Sequence, residues 1–283
     1  MIFLAIVAAL IAAISPFAGM IFTIFFGFKN QSKLYVFFGA FIGTTVLLYY
    51  SKILDPIRVM DTIVGIGLVS FLFIRNFVSS LRYLYSFISS ALVAVGYALI
   101  RQVLFYDLIK QSAETFITEY DKFLVANFTS NPEQLELFQA AVGQIKPLFT
   151  DYYVGVWSSL MITGLFIAAL LVSHRSKEKW QIKQIRMPFA FIYLLIACLA
   201  LFLVANAQKY GINGLIIIAP FFLFQGISIL FFFWGDFFKR SKFLSIVLIG
   251  ALLINPYLMI LIMLIGLFDI WFNFRKINNG GQR

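Results

Sequence analysis

Long uninterrupted apolar runs constrain this chain more than any other feature. Tyr83–Phe105, Asp151–Ser173 and Asn213–Phe237 are 23, 23 and 25 residues long, against the roughly 20 helical residues that cross about 30 Å of hydrocarbon. Met187–Asn206 adds a fourth run. Leu34–Tyr50 and Met60–Ile74 are shorter, at 17 and 15 residues, but both are bounded by charge, so Lys and Arg can snorkel from their ends. An ordinary soluble domain, about a quarter charged, is excluded: here 12% of residues are charged and 62% are AVILMFWYC. The fold expected is all-α, a polytopic transmembrane helical bundle with six spans, forming a single integral membrane domain over residues 1–283.

The two ends are broken. Met1–Phe28 contains Ser15-Pro16 and Phe243–Phe274 contains Asn255-Pro256. Proline removes a helix hydrogen bond and pushes the preceding residue toward extended backbone. Each region is therefore one kinked helix or a hairpin of two short helices meeting inside the bilayer. If both turn back to the side they came from, fifteen Lys and Arg fall on one side of the membrane and seven on the other. The positive-inside rule assigns the richer side to the cytoplasm, which favours hairpins and places both termini there, in a bacterial plasma (inner) membrane. Met1–Ala13 has no basic residues ahead of its apolar run, so it reads as a retained membrane segment rather than a cleaved signal peptide.

Between residues 106 and 150 the pattern changes, and seven of the twelve carboxylates fall in Asp107–Asp151. Leu108, Ile109, Phe116, Ile117, Tyr120, Phe123 and Leu124 recur at helical spacing, and Asn131-Pro132-Glu133 then supplies an N-cap, a first-turn proline and an acidic first turn. Leu135, Phe138, Val142, Ile145 and Phe149 continue the stripe. This stretch is expected to be an extracytoplasmic amphipathic helical insert whose apolar face lies on the membrane or caps the bundle.

Groups able to carry chemistry are scarce. The chain has one His (His174), one Cys (Cys198), and no phosphate-binding glycine loop, His-Glu zinc motif, Ser/His/Asp order or CxxC. No enzymatic activity, cofactor or metal site is expected from such a chain. His174 opens the basic loop that runs to Arg186, where solvent or headgroups meet it. The formal charge of +10 would suggest nucleic acid for a soluble protein, but these basic residues flank membrane runs, so topology and anionic headgroups account for them. The partners expected are membrane lipids, a small-molecule ligand and protein partner subunits, with no nucleic acid.

Polar residues within apolar runs are costly in hydrocarbon and face a partner, a cavity or a pathway. Asn206, Gln225, Asn255 and Asp269 meet that description and are the ligand-binding candidates. For Gln225 the competing role is an interhelical hydrogen bond. For Asp269, six residues before Arg275, it is a cap or ion pair near a partly hydrated interface. Arg101 either snorkels or meets an acid of the insert such as Asp107. Asp236 precedes Lys239 and Arg240 at ion-pair spacing. Gly39 and Gly43 form a GxxxG, with Gly65 and Gly67 in the next span, all suited to close helix approach within the chain or between copies.

Arg186-Met187-Pro188, Phe224-Gln225-Gly226, Gly266-Leu267-Phe268-Asp269 and Asn273-Phe274-Arg275-Lys276 resemble the YybS-like family of bacterial membrane proteins, which is defined by a domain of unknown function. The resemblance extends to the broken first segment and the helical insert, and Gln225 and Asp269 are the positions that match the family pattern. It implies kinship with the substrate-binding subunits of energy-coupling-factor vitamin transporters and with MreD-like proteins of the cell-shape machinery. The function expected is a non-enzymatic membrane subunit that binds a small molecule or lipid. The alternative is a membrane scaffold or assembly factor for cell-envelope machinery.

Overall fold

A computed structural model describes residues 1–80, 83–128, 132–173, 182–240, 250 and 255–276. These residues form helices and connecting turns, with no strand among them. The helices are α1 (Ile2–Ile14), α2 (Pro16–Lys29), α3 (Leu34–Tyr50), α4 (Pro56–Met60), α5 (Val69–Ser80), α6 (Tyr83–Leu104), α7 (Tyr106–Phe128), α8 (Pro132–Thr150), α9 (Tyr153–Ser173), α10 (Ala190–Leu203), α11 (Gln208–Arg240) and α12 (Pro256–Phe272). A π-helical stretch, Asp61–Leu68, joins α4 to α5.

Among the described residues, five helical stretches are long and apolar enough to cross a membrane: Gln31–Tyr50, Pro56–Ser79, Tyr83–Leu104, Tyr153–Ser173 and Ala205–Gly235. The expected span Met187–Asn206 is realised differently, as the 14-residue α10, about 21 Å long. Its N-terminal part is not helical because Pro188 disfavours helix at Met187 and the Met187 N–H instead donates to Gln225 Oε1 at 2.9 Å. At its other end α10 turns through Ala205–Ala207 onto α11. There Gly211 allows the close approach, since a Cβ on it would overlap the backbone of Phe202.

Three helix starts use one device. Ser15, Asp55 and Asn255 each cap with the side chain, and each is followed by a proline in the first turn. The proline holds the preceding residue extended, and all three caps have extended backbone. At Ser15 this produces a hairpin. A Cβ on Gly19 would overlap Ala12, seven residues earlier, whereas a straight helix would keep the two about 10 Å apart. Alanines make the fold-back tight, with Ala5, Ala8, Ala9 and Ala12 buried on α1. In the C-terminal broken region, Asn255 Oδ1 accepts from the N–H groups of Tyr257 and Leu258, so α12 starts afresh there. Residues 243–249 and 251–254 lie outside the described residues.

The core is aromatic. Phe37, Phe41, Phe73, Phe77 and Phe87 are fully buried, and Phe166 of α9 stacks on Phe224 of α11 with centroids 3.7 Å apart. Gly65 meets Tyr97 and Trp157, and Gly67 meets Phe41, as close packing requires. Gly39 and Gly43 differ: among the described residues nothing lies within 4 Å of a Cβ on either, so this pair packs against none of the described helices. The tightest glycine crossing joins α11 to α12, where a Cβ on Gly226 would overlap the Ile262 carbonyl and one on Gly266 the Phe222 carbonyl.

Helices α7 and α8 form a cap at the Leu104 end of α6. They are held together by Phe116 against Phe149 and Phe128 against Phe138, at 5.9 and 4.9 Å between centroids. Much of their apolar stripe stays exposed, including Phe116, Phe123 and Ile145.

Candidate functional site

Two buried clusters of charge lie within the bundle, toward opposite ends. The first is under the cap. Asp61 enters it from the first turn of the π-helical stretch, a geometry common at functional sites. Tyr97 and Arg101, one turn apart on α6, reach it from the facing helix. Arg101 Nε donates to Asp61 Oδ1 at 2.6 Å and Nη2 to Oδ2 at 2.9 Å, a bidentate pair. The Tyr97 hydroxyl donates to Oδ1 at 2.8 Å. On the α9 side, the Tyr153 and Trp157 rings lie 4.9 and 6.0 Å from the guanidinium carbon, within cation–π range.

Asn213 holds α9 in place for this contact. Its Oδ1 accepts from the Gly155 N–H at 2.7 Å, and its Nδ2 donates to the Asp151 carbonyl at 2.9 Å. The first turn of α9 is thereby tied to α11.

A cavity of about 490 Å³ adjoins the pair. The tip of the α1–α2 hairpin, Ala12, Ala13, Ile14 and Pro16, forms one wall, and Asp55, Ile57 and Arg58 another. One face of the cap helix α7, Ile109, Ser112, Ala113 and Phe116, joins Phe149 over it, and Asp61, Arg101, Tyr153 and Trp157 complete it. The volume lies in the range of small-molecule sites.

The second cluster joins α11, α12 and the segment 182–187. Gln225 accepts from the Met187 N–H, and its Nε2 donates to Asp269 Oδ2 at 3.0 Å. Arg275 Nη2 donates to the same Oδ2 at 2.7 Å and to the Ile185 carbonyl at 2.8 Å. Its Nη1 donates to the Lys183 carbonyl at 2.9 Å and to Ser228 Oγ. The Arg275 and Asp269 side chains are wholly buried. Burial draws the Arg275 guanidinium below its ordinary value, and hydrogen bonding to Asp269 opposes that shift.

Of the four candidates, Gln225 and Asp269 meet in this second cluster. Asn206 is exposed in the α10–α11 turn and Asn255 caps α12, and none of the four lines the cavity. Three expectations change. Arg101 pairs with Asp61 rather than with Asp107, because Asp61 stands on the facing helix whereas the Asp107 side chain belongs to the first turn of the cap helix α7. Asp269 forms the ion pair with Arg275 but is buried rather than partly hydrated. Gly39 and Gly43 face outward. His174 and the side chain of Asp236 lie outside the described residues.

Sequence reasoning overlooked Asp61, Tyr97, Tyr153, Trp157 and Asn213. Asp61 carried a signal, as a carboxylate at the edge of an apolar run with a lone arginine in the next span. Neither a curated protein nor a solved structure gives a significant match to the chain. A family model described as "Predicted membrane protein (DUF2232)" matches residues 1–270, and the chain belongs to that family.

Proposed function

We propose that this protein is a non-enzymatic membrane subunit that binds a small molecule or lipid in the cavity beneath the cap. The observation that carries the reading is the position of that cavity: it sits where a broken helix pair ends inside the bundle, beside a buried ion pair and under an amphipathic lid. Discontinuous helices often mark binding sites in transporters, because irregular backbone at membrane depth is tolerated where it lines a cavity. The kinship with substrate-binding subunits of energy-coupling-factor transporters that the YybS-like resemblance implies points the same way. The chain contains no nucleotide-binding motif, so any ATP-driven step belongs to another subunit. With both termini cytoplasmic in a bacterial plasma membrane, the cavity lies on the outer side.

Native mass spectrometry of the protein in lipid nanodiscs tests this. A non-bulk species retained by the wild type is expected to be lost in Ala113→Trp, which fills the cavity from the cap, with thermal stability unchanged. Equal retention by the variant, or an empty wild-type protein, would count against the cavity.

The scaffold reading has one observation in its favour, the exposed apolar stripe of the cap, where Phe123 is 56% and Phe116 is 52% exposed. Crosslinking from the cap that recovered one reproducible protein partner, with the cavity empty, would favour it instead.

A further inference from the structure

We propose that the cavity takes an oxyanion, a phosphate or carboxylate borne on an apolar body, with Arg101 as its chief protein ligand. This rests on the cavity being a binding site and adds the chemistry of what binds. The argument is a count of donors and acceptors. Both Asp61 oxygens are engaged, Oδ1 by Tyr97 and Arg101 Nε, and Oδ2 by Arg101 Nη2. Asp55 caps α4 and pairs with Arg58 at 3.4 Å. Arg101 is not fully used: Nη1 has no hydrogen-bond partner, although the residue is only 6% exposed. A buried donor left without an acceptor is costly, and more so when charged. Among the charged groups on the cavity wall, the buried atom left with no hydrogen-bond partner at all is thus a donor, Arg101 Nη1, which an anionic acceptor would satisfy.

Two neighbours add to it. Arg58 also borders the cavity, and its exposed pairing with Asp55 is of a kind that contributes little, so its guanidinium is easily redirected. The N-terminus of α2 opens at Pro16 on the same wall, presenting the positive end of a 14-residue helix. Apart from Ser112, the rest of the wall is largely apolar, with Ala12, Ile109, Ala113, Phe116 and Phe149 among its residues. A bare inorganic anion would leave that surface unfilled, whereas an anion joined to an acyl or aryl group fits both parts. The second cluster has no such one-sided demand, since its unpartnered atoms are one acceptor, Asp269 Oδ1, and one donor, Arg275 Nε.

The test uses full-length protein in phosphatidylcholine nanodiscs, with thermal shift and native mass spectrometry as readouts. The probes are phosphatidic acid, diacylglycerol with the same acyl chains, and water-soluble hexyl phosphate. Phosphatidic acid or hexyl phosphate should stabilise at concentrations about tenfold or more below diacylglycerol, and whichever is tighter identifies a lipid or a soluble source. Asp61→Asn, which removes the internal competitor for Arg101, should tighten the anion and leave diacylglycerol unchanged. The double variant Asp61→Asn/Arg101→Gln buries no unpaired ion and should lose the anion preference. Diacylglycerol binding as tightly as phosphatidic acid would overturn the oxyanion while keeping the cavity as a binding site. No binding by any probe, with Ala113→Trp indistinguishable from wild type, would remove both. An anion preference that survived the double variant would remove Arg101 from the role.

Discussion

Two buried arginine–carboxylate pairs sit toward opposite ends of one bundle and are completed in different ways. Around Arg275 the partners are main-chain carbonyls, Ser228 and Asp269, drawn from three segments far apart in sequence. Around Arg101 they are Asp61, two aromatic faces and a cavity. Desolvating two charges can cost more than their attraction returns, while removing one partner from a buried pair is strongly destabilising. The first pair is thus a fastener that ties the 182–187 segment to the α11–α12 crossing. The second leaves part of its charge open to a space that something else can fill.

The largest expected effect breaks the comparison if it fails. Asp269→Asn should cost about 3–5 kcal/mol in thermal or denaturant unfolding, because Arg275 is wholly buried. Asp61→Asn should cost clearly less, since Arg101 keeps Tyr153, Trp157 and access to the cavity. Equal losses would mean that both pairs are fasteners. Next in size, Gly226→Ala and Gly266→Ala should each lose about 1–3 kcal/mol by forcing side chain against backbone, whereas Gly39→Ala and Gly43→Ala should leave the melting temperature of the monomer unchanged. Smaller still, Gln225→Ala should cost about 1 kcal/mol and loosen the 182–187 segment, visible as faster amide exchange at Met187. Asn206→Ala, in an exposed turn, should stay within about 0.5 kcal/mol of wild type; a larger loss would show that the α10–α11 turn matters more than its exposure implies.

What could be read from the chain beforehand follows the physics of contrast. The all-α membrane bundle was plain because apolar runs report their own environment. Gln225 and Asp269 stood out for the same reason, as isolated polar groups among Phe, Leu and Ile. Asp61 did not, because it is the second residue of the run Met60–Ile74 and follows Asp55 and Arg58, so it passed for part of the charge that bounds that span. Its π-helical setting has no periodic signature, and its partner lies 40 residues away. Asn213 marked a span boundary in the sequence, and only the fold shows it tying α9 to α11. Gly39 and Gly43 taught the reverse: the spacing of a motif does not say whether its neighbour belongs to the same chain or to a second copy, and here no described helix of the same chain takes that place.

The hairpin at Ser15 has a consequence for depth. With 13 and 14 residues, α1 and α2 each reach about 20 Å, while the hydrocarbon slab is about 30 Å thick. A pair of helices that stops short leaves roughly a third of the slab to be occupied by something else, and the cavity lies at that tip. For a hairpin that enters from one face, the depth left beyond its tip is set by helix length rather than by carving a hole between full-length helices. Adding one turn on each side of Ser15 would raise the tip by about 5 Å and replace the space with chain, while leaving the rest of the bundle its present neighbours.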